Sequence, residues 1–229
     1  MKVVTIGVAD IRKEPKFESE RDSQLIFGEK VKVISEAGEY SKVSCSDGLE
    51  GYIKSSLVKT GEERKYKLNS FFDAGEVKMP FGSYVSERDV LEYRIPEKKL
   101  VEIDDTNYNV VELSYKFLGV PYLWGGTSDF GFDCSGFVQR LYRFIGKELP
   151  RNADWQRDFT TKVESFKDAL PGDLVFFKGH VALYLGNGGI IHANGHSASV
   201  SIDNLFIQSD YKEKLMSIFE KIGRVEKSL

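Results

Sequence analysis

Apolar and polar side chains alternate through much of the first sixty residues. In Lys30-Val31-Lys32-Val33 and Tyr40-Ser41-Lys42-Val43 every second residue falls on one face, as a half-buried strand requires. The runs VVTIGV, EKVKVIS, YSKVSC and EGYIKSSLV read as short strands, and Asp47-Gly48 between the last two suits a tight hairpin turn. Residues 1–60 are therefore expected to form a small all-β barrel. Between 61 and 105 the alternation weakens: GEERKYK reads as a charged linker, followed by further short strands around the turn-like Met79-Pro80-Phe81-Gly82.

From residue 106 onward helical and strand periods mix. Asp105-Thr106-Asn107 can cap a helix through VVELSYKFLG that stops at Gly119 and Pro121. After the loop WGGTSDFGFD, the run CSGFVQRLYRFIG places Phe137, Val138, Leu141, Phe144 and Ile145 on one helical stripe ended by Gly146. Pro171-Gly172-Asp173 then turns into LVFF, followed by HVALYL and, past GNGG, by IIHA. Two helices followed by an antiparallel meander make an α+β plan, because the strands follow the helices instead of alternating with them. The expected organisation is thus 1–60, 61–105 and 106–229.

Composition narrows the function. With 32 basic against 35 acidic residues the net charge is −3, which supplies no field for a nucleic-acid backbone. No apolar run is long enough for a membrane helix, and the N-terminal MKVVTIGVADIRKEP reads as a first strand and not as a signal peptide. A cytoplasmic protein is the expectation, or a secreted one if the chain is a trimmed form. Cys45 and Cys134, 89 positions apart, form neither a disulfide framework nor a zinc motif, and three histidines are too few for a metal cage. No cofactor and no metal are expected.

Cys134 falls in the first turn of its expected helix, where free backbone N–H groups and the helix dipole favour a thiolate. The glycines of Trp124-Gly125-Gly126 and Gly136 leave room for a substrate backbone to approach. A nucleophilic cysteine needs an imidazole base and a polar group to orient it, and His180 and His192 on consecutive strands are the candidates. Their parity makes a demand. A plain two-residue turn at Asn187-Gly188 would place His192 on the face opposite His180, so an odd-length loop or a bulge is required. His196 has no comparable partner and reads as a surface residue. On composition and pattern alone Asp133 is a helix N-cap, Trp124 and Tyr52 are core aromatics, and Cys45 is a structural thiol.

From about Val110 to Val225 the chain resembles the NlpC-type cell-wall peptidases, a bacterial branch of the papain-like cysteine peptidases. PYLWGG, DCSGFVQ, LPRNADWQ, PGDLVFF, HVALYLGNG and IIHA stand in the order and near the spacing of that family. The resemblance implies a papain-like domain with Cys134 as nucleophile, His180 as general base and His192 as the residue that orients it. It assigns Tyr122 to the oxyanion site.

The stretch from Ala9 to Ile53 resembles the bacterial SH3-like domain that precedes the catalytic domain in γ-D-glutamyl-L-diamino-acid endopeptidases. FFDAGEVKMPFGSYVSERDVLEYRI is similar to a shortened second copy. Members of that subgroup cut peptidoglycan stem peptides that begin with a free L-Ala, with the SH3-like domain closing one end of the groove. The resemblance then implies that Asp133 pairs with the substrate amine, Ser135 adds a polar contact and Trp124 lines the same pocket. Glu14 and Tyr52 are the nearest counterparts of an acidic side chain and a tyrosine that assist from the SH3-like domain. The family's tyrosine-bearing turn is here Gly48-Leu49-Glu50-Gly51, a departure. The expected function is a monomeric cysteine peptidase of wall-peptide recycling whose partner is the peptide substrate, with neither nucleic acid nor membrane. The competing expectations are an endopeptidase on glycan-linked stems, an amidase or acyl transferase, and a non-catalytic wall-peptide binding module.

Overall fold

A computed structural model describes residues 2–226, which divide into two compact units. The first runs to Thr106 and also takes in Trp124–Phe130; the second comprises Asn107–Leu123 and the chain from Gly131 onward. No helix among the described residues is long and apolar enough to cross a membrane.

The first unit contains a seven-stranded antiparallel sheet built from β1 (Lys2–Val4), β2 (Val8–Arg12), β3 (Arg21–Ile26), β4 (Lys30–Ala37), β5 (Tyr40–Cys45), β6 (Glu50–Lys54) and β7 (Val58–Thr60). Their order is β3-β2-β6-β5-β4-β1-β7. Alternation does what the pattern demands: in β5 Ser41, Val43 and Cys45 are the buried positions, and Val43 and Cys45 pack with Ile11, Leu25, Val31 and Ile53. Cys45 is a buried thiol in this core, outside any disulfide. The N-terminal apolar run forms two strands, not one. It breaks before Gly7, where a Cβ would lie 1.9 Å from the carbonyl oxygen of Lys78, so only glycine lets the two backbones approach.

After this sheet the chain makes β8 (Tyr66–Leu68), the hairpin of β9 (Phe72–Asp73) and β10 (Lys78–Met79), β11 (Tyr84–Val85), α1 (Glu87–Tyr93) and β12 (Leu100–Glu102). The end of the stretch expected to be a charged linker, Tyr66 and Lys67, belongs to β8, the central strand of a β11-β8-β12 sheet. Its Lys67 is buried because the ammonium donates to the carbonyls of Ile103 (2.9 Å) and Asp105 (2.6 Å). Helix α1 was not anticipated. It is short but closed by a capping box between Ser86 and Asp89, and Arg64 bonds the same aspartate. The last piece of this unit, Trp124–Phe130, carries β13 (Thr127–Ser128), whose Thr127 hydroxyl donates to the carbonyl of Gln24 on β3.

The second unit consists of α2 (Val110–Ser114), β14 (Gly131–Phe132), α3 (Cys134–Phe144), α4 (Ala153–Phe159), the strands β15 (Thr161–Val163), β16 (Leu174–Phe177), β17 (His180–Gly186), β18 (Gly189–Asn194), β19 (Ser199–Asn204) and β20 (Phe219–Arg224), and α5 (Asp210–Ser217). The cap of α2 is Asn109 and not the Asp105–Asn107 group, since its Oδ1 accepts from the N–H groups of Val111 and Glu112. The antiparallel sheet runs β15-β20-β16-β17-β18-β19, so the anticipated meander is extended by β19 at one side and by β20 and β15 at the other. Helix α3 is buried along its whole length, including residues off the anticipated stripe. Gln139 survives there by donating to the carbonyl of Leu149, and Arg143 by its bonds to Glu148. Phe137 of α3 packs edge to face with Phe117 and Phe132, with centroids 5.4–6.3 Å apart among the three rings.

Candidate active site

Cys134 is the first residue of α3, and Asp133 caps that helix by accepting the Gly136 N–H at 2.7 Å. The thiol is buried. Burial, with Asp133 adding to it, pushes its pKa up to about 11, while the N–H groups of Val181 and Ser135 pull the other way. Val181 follows His180 on β17, so the strand that carries His180 also supplies a backbone donor to the thiol at the helix start.

The two strand histidines meet. The turn between β17 and β18 is the two-residue Asn187-Gly188, with both φ positive (51° and 79°), and a bulge lies immediately before it, between Tyr184 and Gly186. The bulge restores parity: Leu183 pairs Ile191, which continues to Ala182 beside His192, on the face of His180. His180 Nε2 lies 2.7 Å from His192 Nδ1. His192 Nε2 in turn lies 3.0 Å from Asp203 Oδ2, a residue of β19 that sequence reasoning missed. Strand pairing sets this contact, because His192 faces Ser201 and Asp203 follows two positions on, on the same side of the sheet. Burial pulls the His180 pKa down to about 3, with His192 adding to it, and the His192 bond holds the Asp203 carboxyl below its ordinary value.

His196 is exposed, as expected, but it does have a partner: its ring stacks on Tyr211 of α5 at 4.1 Å and 11°. Tyr211 also lies 6.2 Å from the His192 ring. Burial, with Asp203 and Cys134 adding, pushes its hydroxyl up to about 12. Tyr122 is affected in the same way, chiefly by burial and then by Cys134 and Asp133, and reaches about 12. Both phenols therefore stay neutral donors at physiological pH.

Asp133 and Ser135 flank the thiol and are bound to a third residue that was overlooked, Arg151. Its guanidinium is 1% exposed and reaches Asp133 through two nitrogens, at 2.5 and 3.1 Å, and the Ser135 hydroxyl at 2.9 Å. Gln156, fully buried on α4, donates to the carbonyls of Ser135 and Pro150 and so ties the segment before α4 to the start of α3.

The remaining anticipated residues lie in the first unit. Trp124 is not core: it is 63% exposed, and its indole N–H donates to Glu20 at 3.0 Å while Arg21 donates to its carbonyl. Glu14 is exposed and paired with Lys16 at 2.5 Å. Tyr52 does not pack inside the sheet either. Its neighbours Gly51 and Ile53 point inward and Tyr52 is half-buried on the other face. Among the described residues no group of His, Cys, Asp and Glu could hold a metal.

Comparison with known proteins agrees with these features. Residues 119–219 match the NlpC/P60 family, and residues 11–57 match the bacterial dipeptidyl-peptidase SH3 domain. The chain is similar to γ-D-glutamyl-L-lysine dipeptidyl-peptidase of Bacillus subtilis, at 29% identity over 86% of this chain and 79% of that protein. It is also similar to dipeptidyl-peptidase 6 of Lysinibacillus sphaericus, at 36% identity over 50% of this chain and 43% of that one. The crystal structure of an NlpC/P60 family protein from Bacillus cereus shares the fold, with a TM-score of 0.80 at 19% identity over 98% of this chain and 99% of that one. The chain thus carries an NlpC/P60 domain over residues 119–219 and a bacterial dipeptidyl-peptidase SH3 domain over residues 11–57, which together with its dipeptidyl-peptidase relatives indicate a cysteine peptidase hydrolase.

Proposed function

We propose that the protein hydrolyses the amide bond between γ-D-glutamate and an L-diamino acid in peptidoglycan stem peptides that carry a free N-terminal L-Ala. The observation that carries this reading is the hydrogen-bonded pair of His180 on β17 and His192 on β18, β17 being the strand whose Val181 N–H also serves the Cys134 thiol. With Nε2 of His180 engaged by His192, Nδ1 is the nitrogen left for the thiol proton. Cys134 Sγ attacks the γ-carbonyl and its proton passes to His180. The oxyanion is received by backbone N–H at the start of α3, with the Tyr122 hydroxyl as a further donor. His180 returns the proton to the leaving amine of the diamino acid as the C–N bond breaks. Water, deprotonated by His180, then splits the thioester and frees the thiol.

The relatives' printed names support a γ-D-glutamyl bond, with L-lysine as the diamino acid in the Bacillus subtilis protein. Amine recognition is proposed for Asp133, Ser135 and Trp124, with Glu14 and Tyr52 of the SH3-like barrel assisting. A free L-Ala amine arises only once a stem has left its glycan, which fits a monomeric enzyme of cytoplasmic wall-peptide recycling. The domain scheme 1–60, 61–105 and 106–229 is proposed on the same footing.

The test is product analysis by mass spectrometry on L-Ala-γ-D-Glu-diaminopimelate-D-Ala, its lysine counterpart and their N-acetylated forms, with Cys134→Ala as control. Cleavage of free peptides alone, lost in the control, supports the reading. Cleavage of acetylated peptides moves the assignment to glycan-linked stems, and cleavage of none by folded protein moves it to a binding module.

A further inference from the structure

We infer that Asp203 is a positioning residue of this site: acting through His192, its carboxylate holds His180 in the tautomer whose Nδ1 can accept the thiol proton. The inference rests on the reading of Cys134 as nucleophile and His180 as base. It follows from counting donors. A carboxylate only accepts, so the nitrogen 3.0 Å from Asp203 Oδ2, His192 Nε2, carries a hydrogen. Neutral His192 then has a bare Nδ1, and the contact of 2.7 Å to His180 Nε2 requires the hydrogen to sit on His180 Nε2. Neutral His180 is left with a lone pair at Nδ1. In the opposite tautomer of His192 the bond to His180 reverses, the hydrogen of His180 moves to Nδ1, and the base is lost. His192 is fully buried, so its tautomer is chosen by the protein groups it touches.

The surroundings leave that choice to Asp203. From β17 the site presents His180, from β18 His192, and from β19 Ser201 and Asp203, the Ser201 hydroxyl donating to Asp203 at 3.5 Å. The exposed loop adds His196, stacked on Tyr211 of α5. Tyr211, Tyr122 and Cys134 are neutral at physiological pH, and Asp133 is engaged by Arg151. The Asp203 carboxylate is held ionised by His192, with His196 contributing. As His180 takes the thiol proton, the positive charge forms at one end of a chain whose other end is this anion.

The test reads tautomers and kinetics together, in 15N-histidine-labelled full-length protein. Two-bond 1H–15N correlation spectra should show wild-type His192 and His180 both protonated at Nε2. In a Cys134→Ala background, adding Asp203→Ala should lower the pKa at which the paired imidazoles first take up a proton by about one unit, because the anion no longer favours the cation. With Cys134 intact, Asp203→Ala should cut kcat on the order of 10–100-fold with KM within about twofold, and Asp203→Glu should recover part of the loss. Unchanged tautomers, titration and kcat in Asp203→Ala overturn the inference, as does a wild-type His180 protonated at Nδ1, which needs no variant to fold. If no peptide is cleaved by wild type, iodoacetamide labelling of Cys134, resolved from Cys45 by peptide mapping, separates the two ideas. Slower labelling in Asp203→Ala supports the inference while the substrate reading fails; equal labelling overturns it.

Discussion

Replacing Arg151 with methionine removes a guanidinium that is 1% exposed and leaves the aliphatic volume roughly filled. What stays behind is a carboxylate, Asp133, 7% exposed, stripped of a two-pronged partner at 2.5 and 3.1 Å. The Gly136 N–H at 2.7 Å and the Ser135 hydroxyl at 3.3 Å still point at it but carry no full charge. Breaking one side of a buried ion pair costs about 3–5 kcal/mol. At a urea slope of about 2 kcal/mol/M this lowers the unfolding midpoint by roughly 1.5–2.5 M with the slope unchanged. The double variant Arg151→Met/Asp133→Asn removes the stranded charge and keeps a capping side chain, so it should lose less than the single one. Arg151 also pulls the Cys134 thiol down, so its loss raises the thiol pKa and slows iodoacetamide labelling at pH 8. Circular dichroism against urea gives the first quantity and peptide mapping the second. A loss below about 1 kcal/mol in the single variant, or a double variant as unstable as the single, would refute the argument.

Gly188→Val puts a side chain at φ +79°, where a Cβ would lie 2.5 Å from Phe206 Cγ; it should cost about 1–3 kcal/mol and disturb the register of His192, so that kcat falls even where the protein is fully folded by circular dichroism. For His180 the folded pKa, about 3, lies below the ordinary 6.5, so the neutral form is favoured: stability is fully present above about 6.5 and is lost as pH falls toward 3. His180→Gln should flatten that part of the stability curve by no more than about 1.4 kcal/mol per pH unit, and equal slopes between pH 4 and 7 in the two proteins would dismiss the assignment. Lys67→Met leaves the carbonyls of Ile103 and Asp105 without its ammonium, and calorimetry should show a loss of about 1–3 kcal/mol; a neutral or stabilising result would mean that these carbonyls find other donors.

Elements with strong local signals were readable. Helix α3 shows its cap, its stripe and its glycine stop in the chain itself, and β16 to β18 are apolar runs bounded by turn residues. The parity of His180 and His192 required an odd-length loop or a bulge, and the structure has the bulge, before the Asn187-Gly188 turn. What stayed hidden depends on distant partners. Asp203 resembles any polar residue of a half-exposed strand until β19 is paired to β18 with Ser201 facing His192; recognising SVSIDN as the next strand of the meander would have exposed it. Arg151 sits in an irregular stretch, and nothing nearby indicates that its charge is buried. Trp124 was misjudged as core because composition does not register an indole whose N–H is satisfied by Glu20 at the surface. Lys67 looked like linker since a lysine among charges reads as solvated, whereas backbone carbonyls some forty residues later hold it.

The first unit is discontinuous in the chain, since Trp124–Phe130 belongs to it although 17 residues of the second unit intervene. During synthesis the seven-stranded sheet can be made while its last piece does not yet exist. The stretch from Thr106 to Phe130 takes roughly 1–5 s to polymerise at ribosomal speed. In that interval Gln24 on β3, a terminal strand of the sheet, lacks the Thr127 hydroxyl that later bonds its carbonyl. An unsatisfied edge strand is a template for pairing with another nascent chain. Truncation before residue 130 would make that interval permanent, so fragments of the N-terminal half should be purified with the 124–130 strap restored, for example as a fused peptide.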